Sequence, residues 1–163
     1  MANNSMDNLN IPEFETAFLF RKRPLSLSAD LRPTWRVGLL VLLLSECCRG
    51  GKASLARLHV LSWGVRSQKS REDLLAAVNS ELPPEALVVR FDPFLNRAID
   101  FAIGESLLSR ASGGKVALSA KGKELSEEIY SDKSIYIAER ESIEKIGQKV
   151  TEGLVDRMFG WEK

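Results

Sequence analysis

SGGKVALSAKGKELSEEI, residues 112–129, holds three signals in one short run. Ser112-Gly113-Gly114 is turn chemistry, because glycine enters the positive-φ conformations of a tight turn without steric cost. Lys115 to Leu118 is the length of a short strand, and Leu107 to Ala111 on the other side of the turn is its partner. Two short runs joined by a glycine turn read as a hairpin. From about Lys121 to Tyr130 the pattern becomes helical.

Upstream of the hairpin, Asp92-Pro93 is a helix start, with Asp as cap and Pro in the first turn. The helix predicted from it runs from Phe94 to about Ile103 and buries Phe94, Leu95, Ala98, Ile99 and Ala102. Leu87 to Phe91 is a strand candidate. Further back, a helix starts near Pro33, runs through Trp35, Leu39, Leu40, Leu43 and Leu44, and stops at Gly50-Gly51. It is apolar on nearly every face, as a central core helix is. A second helix is predicted from about Ala53 to Val65, and a third from about Arg71 to Asn79 with Ser70 and Asp73 as a capping box. After the hairpin, a last long helix from about Glu139 to Phe159 carries Ile143, Ile146, Val150, Leu154 and Met158 on one side. That stripe is the candidate partner interface.

The predicted fold is therefore mostly α with a small β-sheet. Residues 1–32 form an N-terminal arm, 33–132 the main domain, and 133–163 a C-terminal amphipathic helix. Within the arm, Phe14–Phe20 is expected to dock on something.

A chain of 163 residues with 44% apolar and 28% charged residues is ordinary for one soluble domain, and a net charge of +1 exerts no global pull on nucleic acid or anionic membrane. The longest apolar run, Val37 to Leu44, is too short to cross a bilayer, which takes about 20 residues. The start of the chain lacks the basic and apolar regions of a secretory signal. The two cysteines, Cys47 and Cys48, are adjacent, which suits a reducing cytoplasm. The charge is nonetheless separated along the chain. Thr34 to Arg71 holds seven Lys/Arg against one Glu, while Glu72 to Glu105 holds two against seven Asp/Glu. Lys52, Arg57, Arg66, Lys69 and Arg71 are the candidate contacts to a DNA backbone, without sequence preference.

Catalytic constellations are lacking. Gly51-Lys52 and Gly114-Lys115 miss the earlier glycine of a phosphate loop, with Glu46 and Ser109 in its place. His59 is the single histidine, so no histidine cluster can form, and Cys47-Cys48 is not a chelating C-x-x-C pair. No catalytic, cofactor or metal residue is assigned, and the chain is expected not to be an enzyme.

Helix, strand, glycine turn, strand and the run LSAKGKEL resemble the winged helix-turn-helix domains of MarR-like and PadR-like regulators, through Leu107-Leu108, Gly113-Gly114, Val116, Leu118, Ser119, Gly122 and Leu125. In such a domain Phe94 to Ile103 would be the recognition helix. Its outward positions, Asn96, Arg97, Asp100 and Gly104, offer one cation and one acid, and the wing tip offers only Lys115. That equipment is poor for bases and phosphates. The run RPTWRVGLLVLLLSECCRGGKASL, the run VVRFDPFLNRAIDFAIGESLL and the wing together resemble the small middle component of ABC-three-component, Lamassu-type antiphage systems, over about residues 33–130. The resemblance implies a non-catalytic accessory subunit docking an SMC-like coiled-coil ATPase and an effector, commonly a nuclease, in the cytoplasm and away from the membrane. A MarR-like DNA-binding transcription regulator is the alternative.

Overall fold

A computed structural model describes residues 32–161. The described residues are mostly helical with one small sheet. Helix α1 (Pro33–Cys47) is followed by strand β1 (Lys52–Ser54), α2 (Leu55–Arg66), α3 (Gln68–Val78) and α4 (Pro93–Gly104). The hairpin β2 (Leu108–Ala111) and β3 (Lys115–Leu118) comes next, and then α5 (Ala120–Ser131), α6 (Ile137–Ile146) and α7 (Glu152–Met158). The sheet is antiparallel in the order β1-β3-β2. Ala53 faces Val116 across one ladder and Leu108 faces Leu118 across the other.

Helix α1 is the axis of the core. Val37 and every residue from Leu39 to Leu44 are buried, because α1 packs against α5 and α4 and also meets α2 and α6. A helix covered on so many sides has no use for a polar face, which is why its sequence shows none.

Serine and threonine start several helices by accepting a backbone N–H two or three residues on: Ser54 from Arg57, Ser67 from Ser70, Ser119 from Gly122 and Thr151 from Leu154. Asp92 does the same for Phe94 at the head of α4, as the Asp-Pro pair indicated. The cap at Ser54 has a second half. In a local capping box, the third helical residue reaches back to the cap's own N–H. Here that residue is Arg57, and Glu152 at the start of α7 takes over the role. Its Oε1 accepts from the Ser54 amide at 3.1 Å and its Oε2 from the Ser54 hydroxyl at 2.6 Å.

Four expectations are corrected. The segment predicted as helix from Ala53 begins as β1, whose three residues are too few to show a period of two. Helix α3 starts earlier, capped by Ser67 rather than by the Ser70–Asp73 pair. Leu87 to Phe91 is not a strand: it follows a 3-10 turn at Pro84–Ala86 and pairs with no neighbour. The single long C-terminal helix is two helices, α6 and α7. Gly147 separates them at φ 48, ψ −137, a conformation that a side chain would strain.

Arg140 joins α6 to the end of α5. Its guanidinium is buried and donates to the carbonyls of Ile129, Tyr130, Asp132 and Ile135. A fixed cation thus satisfies the carbonyls that a helix end leaves open and opposes the negative end of the helix dipole. Tyr136, at positive φ, sends its hydroxyl to the Trp35 carbonyl at 2.7 Å and fastens the same junction to α1.

Candidate functional site

The head of α4 is a polar node where three helices meet. The Asp92 carboxylate accepts from Arg36 of α1 at 2.6 Å and from Arg66 of α2 at 2.9 Å. Its backbone N–H donates to His59 Nδ1 at 3.1 Å, so Nδ1 is the acceptor nitrogen and the imidazole proton sits on Nε2. Nε2 then donates to Asn96 Oδ1 at 3.0 Å. Burial lowers the His59 pKa, against the opposing pulls of Asn96 and Asp92, and the ring is held neutral. For Asp92, burial acts upward, but the Arg36 hydrogen bond, the Phe94 amide and the charges of Arg36 and Arg66 together win and hold the carboxyl below its ordinary range.

This node settles what the outward face of α4 offers. Asn96 is engaged by His59, Arg97 lies over the Phe94 ring at 5.7 Å, and Asp100 pairs with Arg110 of β2 at 3.3 Å. Phe94, expected in the core, is instead 52% exposed, and Phe101, seven residues on, is 51% exposed. The exposed face therefore carries two aromatic rings beside Asn96, Arg97 and Asp100. Seven residues is nearly two turns, so both rings lie on one side, away from Leu95, Ala98, Ile99 and Ala102.

The candidate basic contacts differ in what holds them. Arg57 is buried, its guanidinium donating to the Cys47 carbonyl at 2.7 Å, so it is withdrawn from any phosphate; its Nε has no hydrogen-bond partner. Arg66 is taken by Asp92, and Arg71 donates to the Val65 carbonyl at 3.1 Å. Lys52 on β1 and Lys69 on α3 are exposed, on different elements.

The candidate partner stripe is also corrected. Ile143, Ile146, Val150, Leu154 and Met158 are all buried in the chain's own core, shared between α6, the turn after it and α7. They present no free surface. The exposed apolar surface lies elsewhere. Phe91, Phe159 and Trp161 form a stacked ladder with centroid spacings of 5.2 and 4.8 Å, and the His59 ring meets Phe91 edge-on at 4.6 Å. Trp161 is 53% exposed, and Val88 beside this run in sequence is 74% exposed. The sequence held a signal for these residues, since Val88, Phe91 and Trp161 are apolar positions that belong to no helical stripe.

Cys47 and Cys48 are buried free thiols. Burial, helped by Cys48 and Glu46, pushes the Cys47 pKa up to about 12, and burial pushes Cys48 up to about 11. Among the described residues no group of three or more His, Cys, Asp or Glu is placed to hold a metal ion, and no helix is long and apolar enough to cross a membrane. Phe14–Phe20 lies outside the described residues.

No protein-family model, curated protein or solved structure matches this chain.

Proposed function

We propose that the chain is a winged-helix accessory subunit, itself non-catalytic, that docks an SMC-like coiled-coil ATPase and an effector such as a nuclease in an antiphage complex. The element order α1-β1-α2 and then α4-β2-β3, with β3 between β1 and β2, supports the winged-helix part. The hairpin is then the wing, with Gly113 and Gly114 at φ 71 and 68 at its tip, and α4 stands in the place of the recognition helix.

One observation carries the choice of protein over DNA as the partner. At that place Asn96 Oδ1 is engaged by His59, Asp100 pairs with Arg110, Arg97 is the one cation, and two phenylalanines are open to solvent. Specific DNA reading needs free donors at base edges, and phosphate binding needs converging cations. Exposed aromatics next to polar groups are instead the composition of protein interfaces. The ladder Phe91–Phe159–Trp161 is assigned as the ATPase-docking surface, and any DNA contact is left to Lys52 and Lys69 without sequence preference.

Tagged protein from its native host should co-purify with a large coiled-coil ATPase and an effector subunit. Phe91→Ser with Trp161→Ser should release the ATPase while the circular dichroism spectrum is unchanged. A symmetric dimer that protects one palindromic DNA site and brings down no ATPase would favour the regulator reading instead.

A further inference from the structure

We propose that the hollow between the end of α4 and α5 receives a cationic amphipathic helix of a partner protein, whose apolar side chains meet Phe101 and Leu125 and whose lysines or arginines meet Glu105, Glu124 and Glu128. The hollow is about 550 Å³. Leu107 and Leu125 line it together with Phe101, which is 51% exposed. Covering that ring with an apolar partner is favourable, because a phenylalanine left in water forgoes the burial of a large apolar surface.

The charge of the hollow says what the partner carries. Three carboxylates, Glu105, Glu124 and Glu128, line it against one ammonium, Lys121, which donates to the Glu105 backbone carbonyl at 2.9 Å. The three acids are exposed and make no ion pair among the described residues. Their places are electrostatically poor for the chain alone. Glu105 is the C-cap of α4 and Glu128 lies in the last turn of α5, each at the negative end of a helix dipole. Glu124 and Glu128 are four apart on one helix, a like-charge pair that repels. Cations brought from outside relieve all three.

The same charge repels a nucleic acid or an anionic lipid surface, so the occupant is a protein. Its conformation follows from the walls. None of the lining residues belongs to a strand, so an extended segment would find no sheet edge for its N–H and C=O groups. A helix arrives with those bonds already made. Glu124 and Glu128 are separated by about 6 Å along α5, and cations four apart on a helix lying beside α5 repeat at the same spacing. The inference stands independently of the antiphage reading, and none of the ladder residues Phe91, Phe159 and Trp161 lines this hollow.

The test uses the full chain and a fluorescent model helix of about 14 residues. The probe has leucine at i, i+3, i+4 and i+7, lysine at i+1, i+5 and i+8, and alanine elsewhere. Anisotropy should show saturable binding that weakens with salt, and a probe with glutamate in place of lysine should not bind. Glu105→Gln, Glu124→Gln and Glu128→Gln together should weaken binding at least fivefold and melt no lower than the parent, because the repulsion is gone. Phe101→Ser should also weaken binding at least fivefold. Glu72→Gln, Glu81→Gln and Glu85→Gln together, with the same change in net charge on other elements, should stay within twofold of the parent. Amide exchange on the unmutated chain should show the probe protecting residues 101–107 and 121–128. No saturable binding, equal loss in the two triple variants, or protection confined to other residues would each overturn the proposal.

Discussion

Removing the Asp92 carboxylate should destabilise the fold more than any surface substitution, because one side chain serves three helices. It caps α4 through the Phe94 amide at 2.9 Å, and it neutralises Arg36, which is 6% exposed and has been taken out of water. A lost cap costs about 1 kcal/mol. Removing one member of a fully buried ion pair costs about 3–5 kcal/mol. The Asp92 side chain is 14% exposed and Arg36 has a further interaction in the chain, so about 2–3 kcal/mol is the appropriate share. Asp92→Ala should therefore cost about 3–4 kcal/mol, and Asp92→Asn, which keeps a cap acceptor but not the charge, about 2 kcal/mol. At roughly 3 °C per kcal/mol for a chain of this size, melting should fall by about 10 °C and about 6 °C. The assay is thermal unfolding followed by circular dichroism, completed by a cycle with Arg36→Met, which should show at least about 1 kcal/mol of coupling. The acid limb adds a signature. The folded pKa of Asp92 is depressed, so its contribution is complete above the unfolded value of about 3.9 and fades as pH falls toward the folded one. Asp92→Asn should flatten that limb. Variants within about 0.5 kcal/mol of the parent, or a cycle without coupling, would show that Asp92 does not hold the three helices together.

Ile146→Asp with Leu154→Asp should unfold the whole domain, since each site loses about 2–5 kcal/mol of packing before any charge is buried; helical circular dichroism should collapse. Gly122→Ala should be far costlier than Gly104→Ala, because a Cβ at Gly122 would lie 2.1 Å from the Leu107 carbonyl oxygen while Gly104 has open space; about 3 kcal/mol should separate them in urea unfolding. Cys47 and Cys48 should stay unmodified by a thiol reagent at pH 8 and react only in denaturant, as their raised pKa values and burial require. The neutral His59 contributes stability that is complete above the unfolded pKa of about 6.5 and declines as pH falls below it, so His59→Gln should reduce the pH dependence of melting between pH 5 and 7.

What the sequence discloses here depends on whether the governing interaction is local. Asp92-Pro93 announces α4, and Ser112-Gly113-Gly114 announces the hairpin, because cap and turn are decided by neighbouring residues. Leu87 to Phe91 has strand composition but no adjacent strand to pair with, and pairing is a property of the tertiary arrangement. The apolar spacing from Ile143 to Met158 continues through Gly147 because α6 and α7 both face one core, so a change of direction leaves the period nearly intact. Of the five candidate basic residues, charge alone could not tell that Arg57 is buried or that Arg66 belongs to Asp92. The ladder Phe91–Phe159–Trp161 brings together residues nearly seventy positions apart, and no periodicity reports such a meeting.

The Glu152 clamp on Ser54 sets an order in time. During synthesis β1 and the head of α2 emerge long before α7, so the Ser54 amide has no carboxylate to receive it until residue 152 is made. A chain that stops short of α7 can build its helices locally but leaves the start of α2 half-capped, and it exposes the side of α2 that α7 covers. Chains with and without α7 thus differ in how the head of α2 is capped and how its side is covered.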